Sequence, residues 1–267
     1  MYWLTTTPSP IIFTLGPINF YWYGLTMVIA MLAAGFLTWT LAKKHRWPLN
    51  NLLDLGFNII IGGLIGARLY HILIHWSDYA GNYLDILKVW QGGLAIHGGL
   101  IGGLITLWLT SRRRQWPFWQ LAGWLMPGVA LGQAIGRWGN FFNQELFGQP
   151  STMPWAIPID IWHRPLNSIT ASHYQPLFLY ESIACLLLAI LLYQLNRRQV
   201  AANKIVGVYL LGYGAIRLIM EFFRQDPTWV LWGWRWPQWL SLLLIILGSL
   251  LLTGWPKLIR LAKKPSS

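Results

Sequence analysis

Charge is what this sequence has least of. Only 10% of its 267 residues are charged, and just 8 of them are acidic. A soluble domain carries about 25% charged residues, so this chain lacks the polar surface that contact with water requires. The single cysteine, Cys185, excludes an internal disulfide framework. It sits in an apolar run and reads as an inert packing residue. No HExxH, GxSxG or P-loop occurs. His71 and His75 are four apart, but no third ligand accompanies them, so neither a metal nor a cofactor is expected. No basic residue precedes Lys43. A cleavable signal peptide is therefore not expected, and the first apolar span should act as its own insertion signal.

Hydrophobic residues make up 55% of the chain, and the mean hydropathy is +0.44. In lipid every backbone N–H and C=O must be satisfied internally, which leaves helix bundles or closed barrels. A barrel alternates apolar and polar residues over segments of about ten. The apolar runs here are continuous, so the expectation is an all-α, polytopic transmembrane helix bundle forming one membrane domain over 1–267. Seven spans are expected, near 22–42, 52–74, 93–110, 119–137, 177–195, 205–223 and 237–255. The third is Gly-rich and contains His97; the fourth contains Pro127 and ends at Arg137.

Charge placement orients this layout. One set of ends holds Lys43, Lys44, Arg46, Arg112, Arg113, Arg114, Arg197, Arg198, Lys204, Lys257, Arg260, Lys263 and Lys264. The other holds Lys88, Arg137, Arg164, Arg224 and Arg235. The positive-inside rule then puts the N-terminus outside and the C-terminus in the cytoplasm. The net charge of +12 is explained by anionic headgroups, and no groove-reading motif supports nucleic-acid binding. Residues 1–21 should form an external arm. Residues 138–176, with Pro150, Pro154, Pro158 and Pro165, should form an external cap.

Ionisable groups inside a bilayer cost about 2.5–3.5 kcal/mol each on insertion scales, so they are functional candidates. Here they are Arg68, His97, Arg137, Glu145, Glu181, Arg217 and Glu221. Tyr209, Tyr213, Arg217 and Glu221 are four apart and share one helix face. That face either offers a guanidinium to an anion or holds an ion pair that only fixes packing. Six glycines surround His97 between Gly92 and Gly103. They let helices approach closely, or they leave the imidazole room to take a proton near neutral pH. The segment Gly136-Arg137-Trp138-Gly139-Asn140-Phe141-Phe142-Asn143-Gln144-Glu145 gathers a cation, two side-chain amides besides Gln144, and a carboxylate at one span end. Arginine fits phosphate through its bidentate fork, and Asn140 and Asn143 suit ester or glycerol oxygens. The plain alternative is a snorkelling arginine at a capped helix end.

These residues resemble the bacterial prolipoprotein diacylglyceryl transferases. Four pieces match in order: Trp22-Tyr23-Gly24, the Gly92–Gly103 stretch around His97, the Gly136-to-Gly148 segment, and Tyr213-x-x-x-Arg217-x-x-x-Glu221. The likeness runs from about residue 16 to 255. One departure is Gln175, where the family usually has histidine before proline. The resemblance implies transfer of the diacylglyceryl group of phosphatidylglycerol to the thiol of a prolipoprotein lipobox cysteine, with glycerol phosphate released. It implies a bacterial plasma-membrane enzyme whose site faces the outer leaflet. Arg137 and Arg217 would hold the phosphodiester, with Glu221 supporting Arg217. Tyr23, Asn140, Glu145 and Gly148 would bind glycerol and headgroup, Tyr213 would line the site, and His97 would be the base. The role of Arg68 stays open. Competing readings are a transporter or flippase with a polar path, and another phospholipid-using transferase such as an acyltransferase.

Overall fold

The computed structural model describes residues 4–254. The basic tail with Lys257, Arg260, Lys263 and Lys264, and the last residue of the expected seventh span, lie outside the described residues. Eight α-helices occur among those described: α1 (Trp22–Lys44), α2 (Leu49–Ile74), the short α3 (Trp76–Tyr79), α4 (Ile96–Arg113), α5 (Phe118–Phe142), α6 (Leu177–Arg197), α7 (Ala202–Glu221) and α8 (Trp236–Thr253). Each expected span coincides with one long helix. Four of these, α1, α2, α6 and α8, are long and apolar enough to cross a membrane. The chain is an all-α membrane protein in class. Glycine and His97 in α4, Gln133 and Arg137 in α5, and Lys204, Arg217 and Glu221 in α7 lower the hydropathy of the other three.

Strand was not expected, yet three two-stranded antiparallel hairpins occur. In the N-terminal arm β1 (Ile11–Leu15) pairs with β2 (Ile18–Tyr21). Gly16 turns that hairpin at φ 58°, a conformation that glycine adopts without a Cβ penalty. In the 138–176 stretch β3 (Ile157–Pro158) pairs with β4 (His173–Tyr174), and after α7 β5 (Val230–Leu231) pairs with β6 (Trp234–Arg235). Each is too short to disturb the helical class, and the turn residues between them carried no helical period to signal their pairing.

The chain forms two compact units, one from 4–38 with 123–254 and the other from Trp39–Ala122. The first has its core where α5, α6 and α7 meet, at Ala130, Leu188, Ala189, Leu192, Ile205 and Tyr209. Small residues let its helices approach. A Cβ on Gly248 of α8 would lie 2.6 Å from the Leu211 backbone nitrogen of α7. Asn196 and Ser182 of α6 donate to the backbone oxygens of Gly123 and Ala134 at 3.0 and 2.8 Å. The cap packs Ile157, Ile159 and Tyr174 against Phe178 at the start of α6 in a small core. Gln144 joins it to the arm: its amide donates to the Pro8 oxygen at 3.0 Å and accepts from the Asp160 N–H at 2.7 Å.

The second unit is built on the seam of α2 and α4. A Cβ on Gly98 would stand 2.2 Å from the Gly66 oxygen, and one on Gly102 would stand 2.3 Å from the Gly62 oxygen. The packing reading of these glycines is thus borne out. Arg68 is also accounted for. It is buried, and it donates to four backbone oxygens: Ile86 at 2.9 Å, Gly92 at 2.7 Å, Gly93 at 3.1 Å, and Asp85. Its guanidinium also lies 5.2 Å from the Tyr79 ring centroid. It pins the turn-rich segment between α3 and α4 and has a structural occupation.

Candidate functional site

In the first unit, three helices converge on a buried ionic cluster. α5 brings Arg137, α6 brings Glu181, and α7 brings Arg217 and Glu221. Arg137 Nη2 donates to Glu181 Oε1 at 2.6 Å, and Arg217 Nη1 donates to Glu181 Oε2 at 3.1 Å. One carboxylate thus bridges both arginines read from the sequence as phosphate ligands. Arg217 Nη2 donates to Glu221 Oε2 at 3.2 Å, which is the i,i+4 contact expected on α7.

Glu221 has further partners. Arg235 Nε donates to its Oε1 at 2.8 Å, and Arg224 Nη1 stands 3.7 Å from its Oε2. Arg235 also donates to the backbone oxygens of Arg224 and Asp226, while Arg224 pairs with the Asp226 carboxylate at 2.8 Å. Glu181 is one of the ionisable candidates of the sequence, without an assigned role, whereas Arg224 and Arg235 are not among those candidates. The signal was the scarcity of acid: with 8 acidic residues against 20 basic ones, any carboxylate within a span must be claimed by arginine.

The remaining polar residues of the Gly136-to-Gly148 segment extend from Arg137. Its Nη1 donates to Asn140 Oδ1 at 3.3 Å, and Asn140 Nδ2 donates to Glu145 Oε1 at 2.8 Å. Asn140 is buried, and Glu145 is exposed. Gln144 and Leu146, on either side of Glu145, take φ of 52° and 57°. For a leucine this is strain, and such strain gathers at functional sites. Tyr23 packs on the same end of α5: a Cβ on Gly139 would lie 2.7 Å from its ring. Gly148 lies within the cap, where a Cβ would meet the Gln175 side chain at 2.9 Å. Its N–H donates to the Gln175 oxygen at 2.9 Å. Gln175, in place of the family's histidine, thus has a backbone contact with a signature residue.

Tyr213 stacks on Tyr209, with centroids 5.9 Å apart, and Tyr209 accepts from Gln133 at 3.0 Å. Tyr23, Arg137, Asn140, Glu145, Gly148, Tyr213, Arg217 and Glu221 all belong to the first unit. His97 belongs to the second, on the first turn of α4. It is exposed, with the Tyr70 ring 5.9 Å away. Cys185, one turn past Glu181, is fully buried, as expected of a packing residue.

Accessibility orders the cluster. The Glu181 and Glu221 side chains are 5% and 0% exposed, whereas those of Arg137 and Arg217 are 18% and 14% exposed. Solvent or a ligand therefore reaches the cations before the anions. Each guanidinium carries five N–H donors, and the bonds to Asn140, Glu181 and Glu221 use only some of them. The arrangement can receive an anion with oxygen acceptors, phosphate above all. No group of three or more His, Cys, Asp or Glu side chains is placed to hold a metal among the described residues.

Known proteins resemble this chain over most of its length. The profile of the prolipoprotein diacylglyceryl transferase family matches residues 10–254. The chain is 41% identical over 251 residues to the phosphatidylglycerol–prolipoprotein diacylglyceryl transferase of Synechococcus elongatus, covering 92% of this chain and 86% of that protein. It is 41% identical over 229 residues to the protein of that name in Nostoc sp., covering 84% and 81%. With that of Synechocystis sp. the identity is 39% over 249 residues, covering 91% and 88%.

Proposed function

The chain belongs to the prolipoprotein diacylglyceryl transferase family, and from that premise we propose how its ionic cluster performs the transfer. The enzyme moves the diacylglyceryl group of phosphatidylglycerol to the thiol of the lipobox cysteine of a prolipoprotein. It forms a thioether and releases glycerol phosphate. The sulfur attacks the glycerol carbon that bears the phosphate ester. The carbon–oxygen bond breaks, and its electron pair leaves on the phosphate. A phosphodiester with one negative charge thereby becomes a monoester with two, until the proton from the thiol is taken up.

Arg137 and Arg217 hold the phosphate through their unengaged donors. Charge builds on the phosphate as the bond breaks, so fixed guanidiniums favour the transition state over the bound lipid. Glu181 and Glu221 keep the forks in place. Asn140, Glu145 and Tyr23 orient glycerol and headgroup, Gly148 sets the turn behind them, and Tyr213 lines the site. A free thiol has a pKa of about 8.5, so only a few per cent is thiolate at pH 7. His97 is the proposed base on its chemistry alone; the departing phosphate is the other acceptor for the proton.

The observation that carries this reading is the accessibility order, with arginines outward and carboxylates inward. In the same proposal α1, α2, α4, α5, α6, α7 and α8 are seven spans, the N-terminus is outside and the C-terminus is cytoplasmic. The protein is multi-pass in the bacterial plasma membrane, and the site faces the outer leaflet, where exported prolipoproteins arrive. The test is to supply the purified protein with phosphatidylglycerol and a lipobox peptide containing one cysteine. Mass spectrometry should find one added diacylglyceryl group on the cysteine and free glycerol phosphate. A Cys→Ser peptide should stay unmodified. Acyl transfer without glycerol phosphate, or no modification by folded protein, would overturn the proposal.

A further inference from the structure

At the C-terminal end of α4 the second unit has a cavity of about 420 Å³, lined by Trp108, Ser111, Arg112, Trp116, Phe118 and Trp119. None of these residues takes part in the proposed reaction. The size falls within the range of about 300–1,000 Å³ typical of small-ligand sites. Its polar groups are unmatched. Ser111 is 2% exposed, yet its hydroxyl has no hydrogen-bond partner. Buried hydroxyls are normally satisfied. Arg112 makes no ion pair among the described residues; its guanidinium stands 5.7 Å from the Trp108 ring centroid. Nearby Arg114, in contrast, pairs with Asp54 at 3.4 Å.

The approach to the cavity is apolar. Leu100, Leu104, Trp108 and Arg112 are four apart, so they stack along one helix face. The first three are exposed at 61%, 59% and 47%, and this apolar strip ends at a cation. On the other side Trp47 meets Trp116 edge-on with centroids 5.5 Å apart, next to Arg46 at the end of α1. Aromatic rings with a polar edge, a cation, and an exposed aliphatic strip are the elements that an amphipathic anion requires.

We infer that this cavity binds the headgroup of an anionic phospholipid, with the phosphate on Arg112 and Ser111 and an acyl chain along Leu104 and Leu100. A soluble phosphate would not use the strip, so the occupant is the lipid. The site is separate from the transfer reaction and does not depend on it.

Phosphatidylserine is a suitable probe, because it carries the charge without being the expected donor of the diacylglyceryl group. The full chain, purified in neutral detergent, would be titrated with phosphatidylserine and observed by native mass spectrometry. Arg112→Gln should weaken retention about fivefold or more, the effect of roughly one headgroup contact. Arg46→Gln removes the same charge from the same end but does not line the cavity, so it should retain lipid like the unaltered protein. Phosphatidylcholine should not compete. Equal losses in both variants would reduce the effect to diffuse surface charge, and no loss in Arg112→Gln would remove the site. Displacement by excess glycerol phosphate would show a soluble-anion site instead. Should Arg112→Gln not survive purification, Arg112→Lys keeps the charge, loses the fork, and is read in the same way.

Discussion

Glu181→Gln isolates the bridge between the two arginines with little change in shape. The carboxylate accepts from Arg137 at 2.6 Å and from Arg217 at 3.1 Å, and its side chain is 5% exposed. Removing one partner of a buried ion pair typically costs about 3–5 kcal/mol. Two features reduce that here. Glutamine keeps one amide oxygen for an arginine, and solvent screens guanidiniums that are 18% and 14% exposed. A loss of about 2–3 kcal/mol follows. In a protein of this size it corresponds to a fall in Tm of roughly 5–10 °C, measurable by thermal unfolding in detergent. Turnover should fall by at least about tenfold, which needs only ~1.4 kcal/mol of lost transition-state stabilisation. The decisive assay is a double-mutant cycle on transfer rate with Arg137→Gln. If Glu181 acts by holding Arg137, the second change adds less than the sum, with a coupling of about 0.5–3 kcal/mol. An unchanged Tm and rate in Glu181→Gln, or strict additivity with Arg137→Gln, would refute the reasoning.

The other predictions concern single positions. Arg137→Ala and Arg217→Ala should each lower the transfer rate by about 10²–10³-fold, the usual effect of losing one charge-stabilising donor, while the protein still inserts; wild-type rates in either would remove the phosphate clamp. His97→Gln should slow transfer by about 10²-fold if the imidazole is the base, and a substantial residual rate would pass that role to the phosphate. Gly98→Ala places a Cβ 2.2 Å from the Gly66 oxygen, whereas Gly103→Ala meets only the Ile59 side chain at 3.5 Å. The first should therefore destabilise by about 1–3 kcal/mol and the second by much less; equal Tm values would contradict the α2–α4 seam.

The seven long helices were legible because continuous apolar length is a local property of sequence. The hairpins were not, since β3 and β5 have only two residues each and no period can emerge from two. The contents of the cluster were half legible. Arg217 and Glu221 are one turn apart, so their contact follows from helix geometry. Glu181 contacts Arg217 across 36 residues and Arg137 across 44, a pairing set by helix packing and not by spacing. Arg235 enters the sequence reading only as one of the basic residues at the external span ends, yet 14 residues from Glu221 it lies 2.8 Å from that carboxylate. Arg68 shows the reverse case. Its place in an apolar helix made it a functional candidate, but the four backbone oxygens that occupy it belong to a segment of irregular backbone that hydropathy cannot foresee.

The acids of the cluster oppose the proposed phosphate binding, because each carboxylate weakens the field that a phosphate would feel. Glu221 alone is shared by Arg217, Arg224 and Arg235. The alternative, however, is worse. An arginine carries about 2 kcal/mol of side-chain rotamer entropy, and an unpaired one in a partly buried site would turn toward water. In the proposed reaction, pairing from behind would fix each fork before the lipid arrives, so the ordering cost would fall on folding and not on the transition state. The arginines in the cluster, Arg137, Arg217, Arg224 and Arg235, still outnumber Glu181, Glu221 and Asp226. Glu145, tied to Arg137 through Asn140, brings the acids to four, so the cluster holds no excess positive charge for the proposed leaving group. In the proposed reaction, geometry and not excess charge would then favour bond breaking. Loss of Glu181 should consequently appear in kcat more than in KM, since an arginine freed from its carboxylate still attracts phosphate but no longer holds it in line.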